Sequence, residues 1–414
     1  MGSLPRRFHT AHPAFLLQMQ PRPTAAPPQT TDASNAFLLR ASPLLLAMQT
    51  EAGLLSSADG ESWARADDAS CVGVAFDWPL VPVAGGGLRN FGELTHLDPS
   101  LNYTSFSAGD ASVLRPSAGA AGGATCAPAR LNVSVSGLPR AIYCAGGERA
   151  FGCPFRLNPG GDLVALTDGS LLLAAIVYWG APSTSAPGAT SVVALRSTDG
   201  GSAWTFRGTI ADAAAYPASM EGPNESALAL LGDGATLAAV VRLDAGDGKR
   251  AGAPGPYSPY ALTFSGDGGR TWTPQGLIAG AGCARPRLFA AGGGGGDGGG
   301  AAPLLLSGGR WRAPGGGGGG WEPRLWLNAA GDARDFEFYS VSYWHNALVK
   351  NASWRFTPAV NSSQSPRESQ AYTSLLALDG GAEPGVRTRR LAITYNAGLP
   401  PDSRLFLMPF TLAW

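Results

Sequence analysis

Apolar residues in this chain come in short runs separated by turn residues. The clearest set is Leu163 to Leu166, a turn at Thr167-Asp168-Gly169, Leu171 to Tyr178, and then Ser191 to Leu195. The same order returns as Ser226 to Leu231, the turn Gly232-Asp233-Gly234, Thr236 to Leu243, and Tyr260 to Phe264. Short apolar runs bounded by Gly, Asp and Ser predict buried β-strands, and long helical periodicities are scarce. Weaker runs predict further strands in Ala36 to Met48, Leu131 to Val135, Pro303 to Ser307, Arg324 to Leu327, Leu391 to Tyr395 and Leu405 to Leu412. From Cys71 to about Ala150 the pattern is poor and includes a Gly/Ala stretch, Gly119 to Ala124. Glycine runs near 292–300 and 315–320 cannot pack and read as flexible surface insertions.

Both clear sets lead into one kind of turn. Ser265-Gly-Asp267-Gly-Gly269-Arg-Thr271-Trp272 has a close copy in Ser197-Thr-Asp199-Gly-Gly201-Ser-Ala-Trp204. A worn copy, Ser57-Ala-Asp59-Gly60-Glu61-Ser-Trp63, is one residue short and lacks the second glycine. Glycines permit positive φ in a tight hairpin, the aspartate can accept from the turn's own amides, and the tryptophan buries beside the returning strand. Ser197 and Ser265 stand about 70 residues apart, and Ser57 and Ser197 about twice that, so a chain of 414 residues holds about six units. Radially repeated antiparallel sheets of this size predict an all-β fold, a six-bladed β-propeller. These turns resemble the Asp-boxes of the sialidase superfamily, whose catalytic members are six-bladed propellers. Asp-boxes also occur on propellers that bind proteins or cleave other glycans, so function has to come from the site.

Composition narrows the partners. The chain has 30 basic and 30 acidic residues, which gives no electrostatic case for nucleic acid or an anionic membrane. Gly 58 and Pro 33 suit a turn-rich all-β chain. Residues 1–35, rich in Pro, Thr and Ala, read as a disordered or processed leader, with the propeller over 36–414. No run is apolar enough to span a bilayer, and residues 1–22 lack the core of a signal peptide. N-x-Ser/Thr sequons at Asn102, Asn132, Asn224, Asn351 and Asn361 nevertheless suggest a glycoprotein of the secretory route. Among the 5 cysteines, Cys126, Cys144 and Cys153 cluster closely enough for one bridge, with Cys71 and Cys283 as buried thiols. No Cys/His spacing suggests zinc, no cofactor is called for, and a monomer is expected.

Several residues fit the chemistry that the resemblance implies. Sialic acids carry a carboxylate on the anomeric carbon, so their site needs guanidinium donors, and a carboxylate nucleophile would be repelled. Sialidases accordingly use an arginine triad, a tyrosine nucleophile activated by a glutamate, and an aspartate acid. Pro223-Asn-Glu225-Ser-Ala-Leu followed by Val240-Val-Arg242-Leu-Asp244 resembles the blade carrying the glutamate base and one triad arginine, implying those roles for Glu225 and Arg242. Pro323-Arg324-Leu-Trp-Leu327 resembles the strand of another triad arginine, displaced by two residues from the position held here by Glu322, and Arg310 in Leu306-Ser-Gly-Gly-Arg310 is its rival. Glu368-Ser-Gln-Ala371-Tyr372-Thr373-Ser374 resembles the segment presenting the nucleophile, which implies that role for Tyr372. The first triad arginine and the acid lack a motif. Phe155-Arg156-Leu157-Asn158-Pro159 is similar to the Phe-Arg-Leu-Pro motif with one residue inserted, but it opens the third unit; Arg40 and Glu51 are candidates of equal standing with Arg156. The implied activity is an exo-α-sialidase acting on sialylated glycans. The alternative is an Asp-box propeller that binds glycans or proteins without catalysis.

Overall fold

A computed structural model describes strands between residues 16 and 413, with side chains at 57, 134–140, 163–179, 190–217, 219, 222–243, 259–278, 285–291, 302–309, 325–328, 330–333, 373–378, 388–394 and 410–413. The architecture is all-β, as the apolar pattern predicts. Among the described residues the one helical element is a 3-10 turn at Ala213–Ala215, capped by the Asp212 carboxylate, and no helix is long and apolar enough to cross a membrane.

Among the described residues, five sheets follow one another along the chain. The first is the meander Ala36–Ser42, Leu45–Thr50, Gly53–Ser57 and Ala64–Arg65. The second, nine-stranded, is two meanders joined edge to edge. One runs Leu80–Pro82, Leu88–Asn90, Phe106–Pro116 and Ala124–Ser136. The other places Arg156–Leu157 and Leu163–Ala165 against Leu171–Tyr178, followed by Thr190–Ser197 and Ala203–Ala211. A short parallel pairing of Ala203 to Thr205 with Ser134 to Ser136 makes the joint. The third sheet is Gly222–Leu230, Leu237–Asp244, Tyr260–Ser265 and Gly276–Ile278. The fourth is Cys283–Ala290, Leu304–Arg312, Gly320–Asn328, Glu337–Ser342 and Ala347–Lys350. The fifth is Thr373–Ala377, Thr388–Ala397 and Arg404–Ala413, with Leu16–Met19 added to its far edge.

The second to fifth sheets pack against one another in sequence. Leu173, Ala175, Val177, Val193 and Leu195 face a core with Val135, Leu138 and Trp204. The alternate residues Leu172, Ala174, Val192 and Ala194 face another with Leu228, Leu237, Ala239 and Val241 of the third sheet. A strand with apolar neighbours on both faces cannot alternate with polar residues, which is why these strands are continuous apolar runs. Tyr260, Val240, Leu306 and Trp326 join the third sheet to the fourth, and Leu305, Leu325, Leu391, Ile393 and Phe410 join the fourth to the fifth. Burying a Leu or Val side chain of this kind contributes about 1.5–3 kcal/mol, so the packing between sheets is the principal source of cohesion. Leading strands touch in order: Gly222–Leu230 meets Cys283–Ala290, which meets Thr373–Ala377, which meets Ala36–Ser42 of the first sheet.

Both predicted aspartate turns form. Ser197 Oγ donates to Asp199 Oδ1 at 2.8 Å, the Ser202 and Ala203 amides donate to the same oxygen at 3.0 and 2.9 Å, and Gly201 N–H donates to Ser197 Oγ. Trp204 Nε1 closes the turn on the Gly201 carbonyl at 3.0 Å. Asp267 repeats this arrangement and also accepts from Thr271 Oγ1 at 2.6 Å. The second glycine of the turn is required twice over: Gly269 has φ +87, and a Cβ there would stand 3.1 Å from the Leu172 side chain. The Thr271 hydroxyl and amide, then Ser265 and Arg270, hold the Asp267 carboxyl far below its ordinary value of 3.8. For Asp199, burial raises the pKa, but the bonds from Ala203, Ser197 and Ser202 outweigh it and the net shift is downward. Ser57 is buried as in the two full turns, while the rest of the worn copy, 58–63, lies outside the described residues.

Elsewhere the strands are longer than the apolar pattern implies. Phe106–Pro116 pairs antiparallel with Ala124–Ser136, and of the Gly/Ala stretch only Ala124 lies among the described residues. The second glycine run falls between Leu304–Arg312 and Gly320–Asn328, whose register closes on Arg312 opposite Gly320. Of the stretch expected as a leader, Leu16–Met19 pairs with Phe410 to Ala413, and the rest lies outside the described residues. Cys71, Cys144, Cys153 and Glu51 also lie outside them.

Candidate functional site

The turns at Asp168 and Asp233 share one end of the molecule, since a Cβ on Gly234 would lie 3.5 Å from the Thr167 methyl. Strand register puts Glu225 and Arg242 at the opposite end, because Gly222 pairs with Asp244 while Leu230 pairs with Leu237 beside the turn. The ladder is irregular between Pro223 and Ser226, so Asn224 and Glu225 occupy a bulge. Bulges re-aim side chains. Here the Asn224 carboxamide accepts from the Glu225 amide at 2.7 Å and fixes the bulge.

Glu225 is thereby directed at guanidinium groups. Arg242 Nη1 donates to Glu225 Oε2 at 2.7 Å, with the two side chains 9% and 15% exposed. Arg285 Nε, from the neighbouring sheet, lies 3.8 Å from Glu225 Oε1, inside ion-pair range and beyond hydrogen-bond length. Arg285 and Arg287 flank Pro286 in Cys283–Ala290, where the pairing with the next strand is again irregular, between Cys283 and Arg287. Both arginines are 5% exposed. Desolvating charged groups costs several kcal/mol each, and an ion pair at such a place is weak evidence for stability. Buried charges converging on a bulge between two leading strands mark a site instead.

Other predicted residues are placed by backbone alone. Arg156 pairs opposite Ile176, near the end of its strand away from the Asp168 turn. Arg324 lies opposite Gly308 and Ser340, and Arg310 lies opposite Glu322, the residue two positions before Arg324. Tyr372 lies just outside the described residues and immediately precedes Thr373–Ala377. Thr373 Oγ1 donates to Ser307 Oγ at 2.8 Å, which docks the start of that strand on the fourth sheet, whose leading strand carries Arg285 and Arg287. The two glycines before Arg310 serve packing. Gly309 N–H donates to the Tyr260 hydroxyl at 3.1 Å, and a Cβ on Gly308 would collide with that hydroxyl.

One sequence expectation changes, and two arginines are added. Asn224 is 9% exposed and bonded within the bulge, so its sequon is part of the site rather than a glycan acceptor. Arg285 and Arg287 were not singled out by any motif. The available signal was Arg-Pro-Arg inside an otherwise apolar strand, since proline within a strand marks an edge or a bulge. Among the described residues no group of His, Cys, Asp and Glu is arranged to hold a metal ion.

No protein-family model matches this chain, and no curated protein matches it. Solved structures do. A protein of unknown function from Dyadobacter fermentans superposes with a TM-score of 0.56 at 16% identity, covering 97% of this chain and 100% of its own. A mutant Trypanosoma rangeli sialidase displaying trans-sialidase activity superposes with a TM-score of 0.51 at 14% identity, over 96% of this chain. This chain spans 59% of that sialidase's length. A Penicillium chrysogenum α-L-arabinanase complexed with arabinobiose is matched at a TM-score of 0.46 and 15% identity, covering 96% of this chain and 98% of its own. At these identities the likeness is one of fold: this chain has a sialidase-like fold.

Proposed function

We propose that this chain is a six-bladed propeller over residues 36–414, with Leu16–Met19 completing its last blade, and that it releases terminal sialic acid from glycans. The count takes the nine-stranded sheet as two blades whose outer strands touch. The observation that carries the functional reading is the Arg242–Glu225 pair, buried at the end of the leading strands opposite the aspartate turns, with Arg285 beside it. In this reading Tyr372 loses its phenolic proton to the Glu225 carboxylate. The phenolate oxygen then bonds to the anomeric carbon as the bond to the leaving oxygen breaks, and water later displaces the tyrosine with net retention. Arg242, Arg324 and Arg156, with Arg310 as the rival to Arg324, hold the substrate carboxylate, for which guanidinium forks are suited. The sequons other than Asn224 accord with a secretory route.

Hydrolysis of a sialoside with a fluorogenic phenolate leaving group tests this without any general acid. Wild-type turnover that falls at least a hundredfold in both Tyr372→Phe and Glu225→Gln is the expected result. Absence of turnover in folded wild-type protein overturns the enzyme reading. Retained binding of free sialic acid would then define a glycan-binding propeller.

A further inference from the structure

We propose that Arg285 is a positioning residue for Glu225, an inference that rests on the reading of Glu225 as the base. The sequence motifs couple Glu225 to Arg242 on the adjacent strand of the same sheet. The structure adds a guanidinium from the next sheet, on the other carboxylate oxygen: Arg242 Nη1 is bonded to Oε2 at 2.7 Å, and Arg285 Nε faces Oε1 at 3.8 Å.

The two contacts differ in kind. A hydrogen bond of 2.7 Å occupies a lone pair and fixes the oxygen that receives it. The Arg285 guanidinium, its Nε 3.8 Å from Oε1, attracts the second oxygen as an ion pair, so it orients the carboxylate and favours its ionised form. Two independent bulges create the geometry, one at Asn224 and Glu225 and one around Pro286. Arg285 is therefore held by its own strand and does not depend on Arg242 for its place.

Among the described residues, the strands packed on Gly222–Leu230 bring the following charged groups near Glu225. Leu163–Ala165 and Leu171–Tyr178 contribute none, and Thr190–Ser197 contributes Arg196, which is paired with Asp168 at the turn end. Leu237–Asp244 contributes Arg242, with Asp244 at its terminus, and Cys283–Ala290 contributes Arg285 and Arg287. Among these, removing Arg285 takes a cation from Oε1 and leaves the Arg242 hydrogen bond to Oε2 in place.

The test is a carboxyl carbon NMR titration of protein labelled at glutamate, with Glu225 assigned by its loss in Glu225→Gln. It is run on wild type, Arg285→Met and Arg285→Lys. The expected result is a Glu225 midpoint raised by about 1 pH unit in Arg285→Met and largely restored in Arg285→Lys. Where the sialoside is turned over, the acid limb of kcat/KM moves by the same amount and KM changes little. An unmoved midpoint in folded Arg285→Met overturns the proposal, and so does a loss confined to KM, which would make Arg285 a substrate contact. Should Arg285→Met fail to fold, Arg285→Gln takes its place in the titration. The titration does not need turnover, so failure of the sialidase reading is seen separately in the fluorogenic assay.

Discussion

The two ends of the third sheet satisfy carboxylates in opposite ways. At one end Asp233 and Asp267 accept from groups within four residues of themselves, at the protein surface. At the other end Glu225, largely buried, is met by Arg242 from 17 residues on and by Arg285 from another sheet. The first arrangement is a local solution that any chain with the right eight residues can reach. The second exists only after the sheets have packed, and it carries a desolvation cost that the first avoids.

The sharpest way to break this contrast is to remove one partner at each end. Arg242→Met leaves a buried carboxylate without its hydrogen-bonded cation, and about 3–5 kcal/mol of stability is expected to be lost in urea unfolding. Combining it with Glu225→Gln should return a large part of that loss; strict additivity of the two losses would mean that the pair is not coupled. At the other end, Asp267→Ala removes acceptors from amides that water can still reach, and the expected loss is about 1–2 kcal/mol. A larger loss there than for Arg242→Met would reverse the comparison.

Acid provides the mildest probe. The folded-state pKa values of Asp199, Asp233 and Asp267 lie below the ordinary 3.8, so the stability they contribute is complete above that value and is lost as pH falls through the lower folded values. Urea midpoints should agree between pH 7 and 5 and fall by pH 2.5. The fall should shrink in an Asp199→Asn, Asp267→Asn double variant, and an unchanged fall would locate the acid sensitivity elsewhere.

The same contrast explains what could be read from the sequence. The aspartate turns were legible because every participant lies inside one eight-residue word, and the strands of the third sheet because burial on both faces leaves uninterrupted apolar runs. Glu225 and Arg242 were legible through a resemblance that holds both residues on neighbouring strands. Arg285 was not, because what brings it to Glu225 is a ladder irregularity around Pro286, and a bulge has no fixed spacing in sequence. The long hairpin Phe106–Pro116 with Ala124–Ser136 was equally obscure, since small and polar residues dilute its apolar positions.

The pairing of Leu16 with Ala413 sets a timetable for synthesis. At roughly 5–20 residues per second, a ribosome needs about 20–80 s to travel between those positions. Earlier sheets can pack as they emerge, but Leu16–Met19 has no partner until the final strand has been made. Newly made chains therefore carry an unpaired apolar segment until Phe410 to Ala413 have been made, the kind of segment that chaperones hold, and premature termination anywhere upstream of Phe410 leaves that segment without its partner strand.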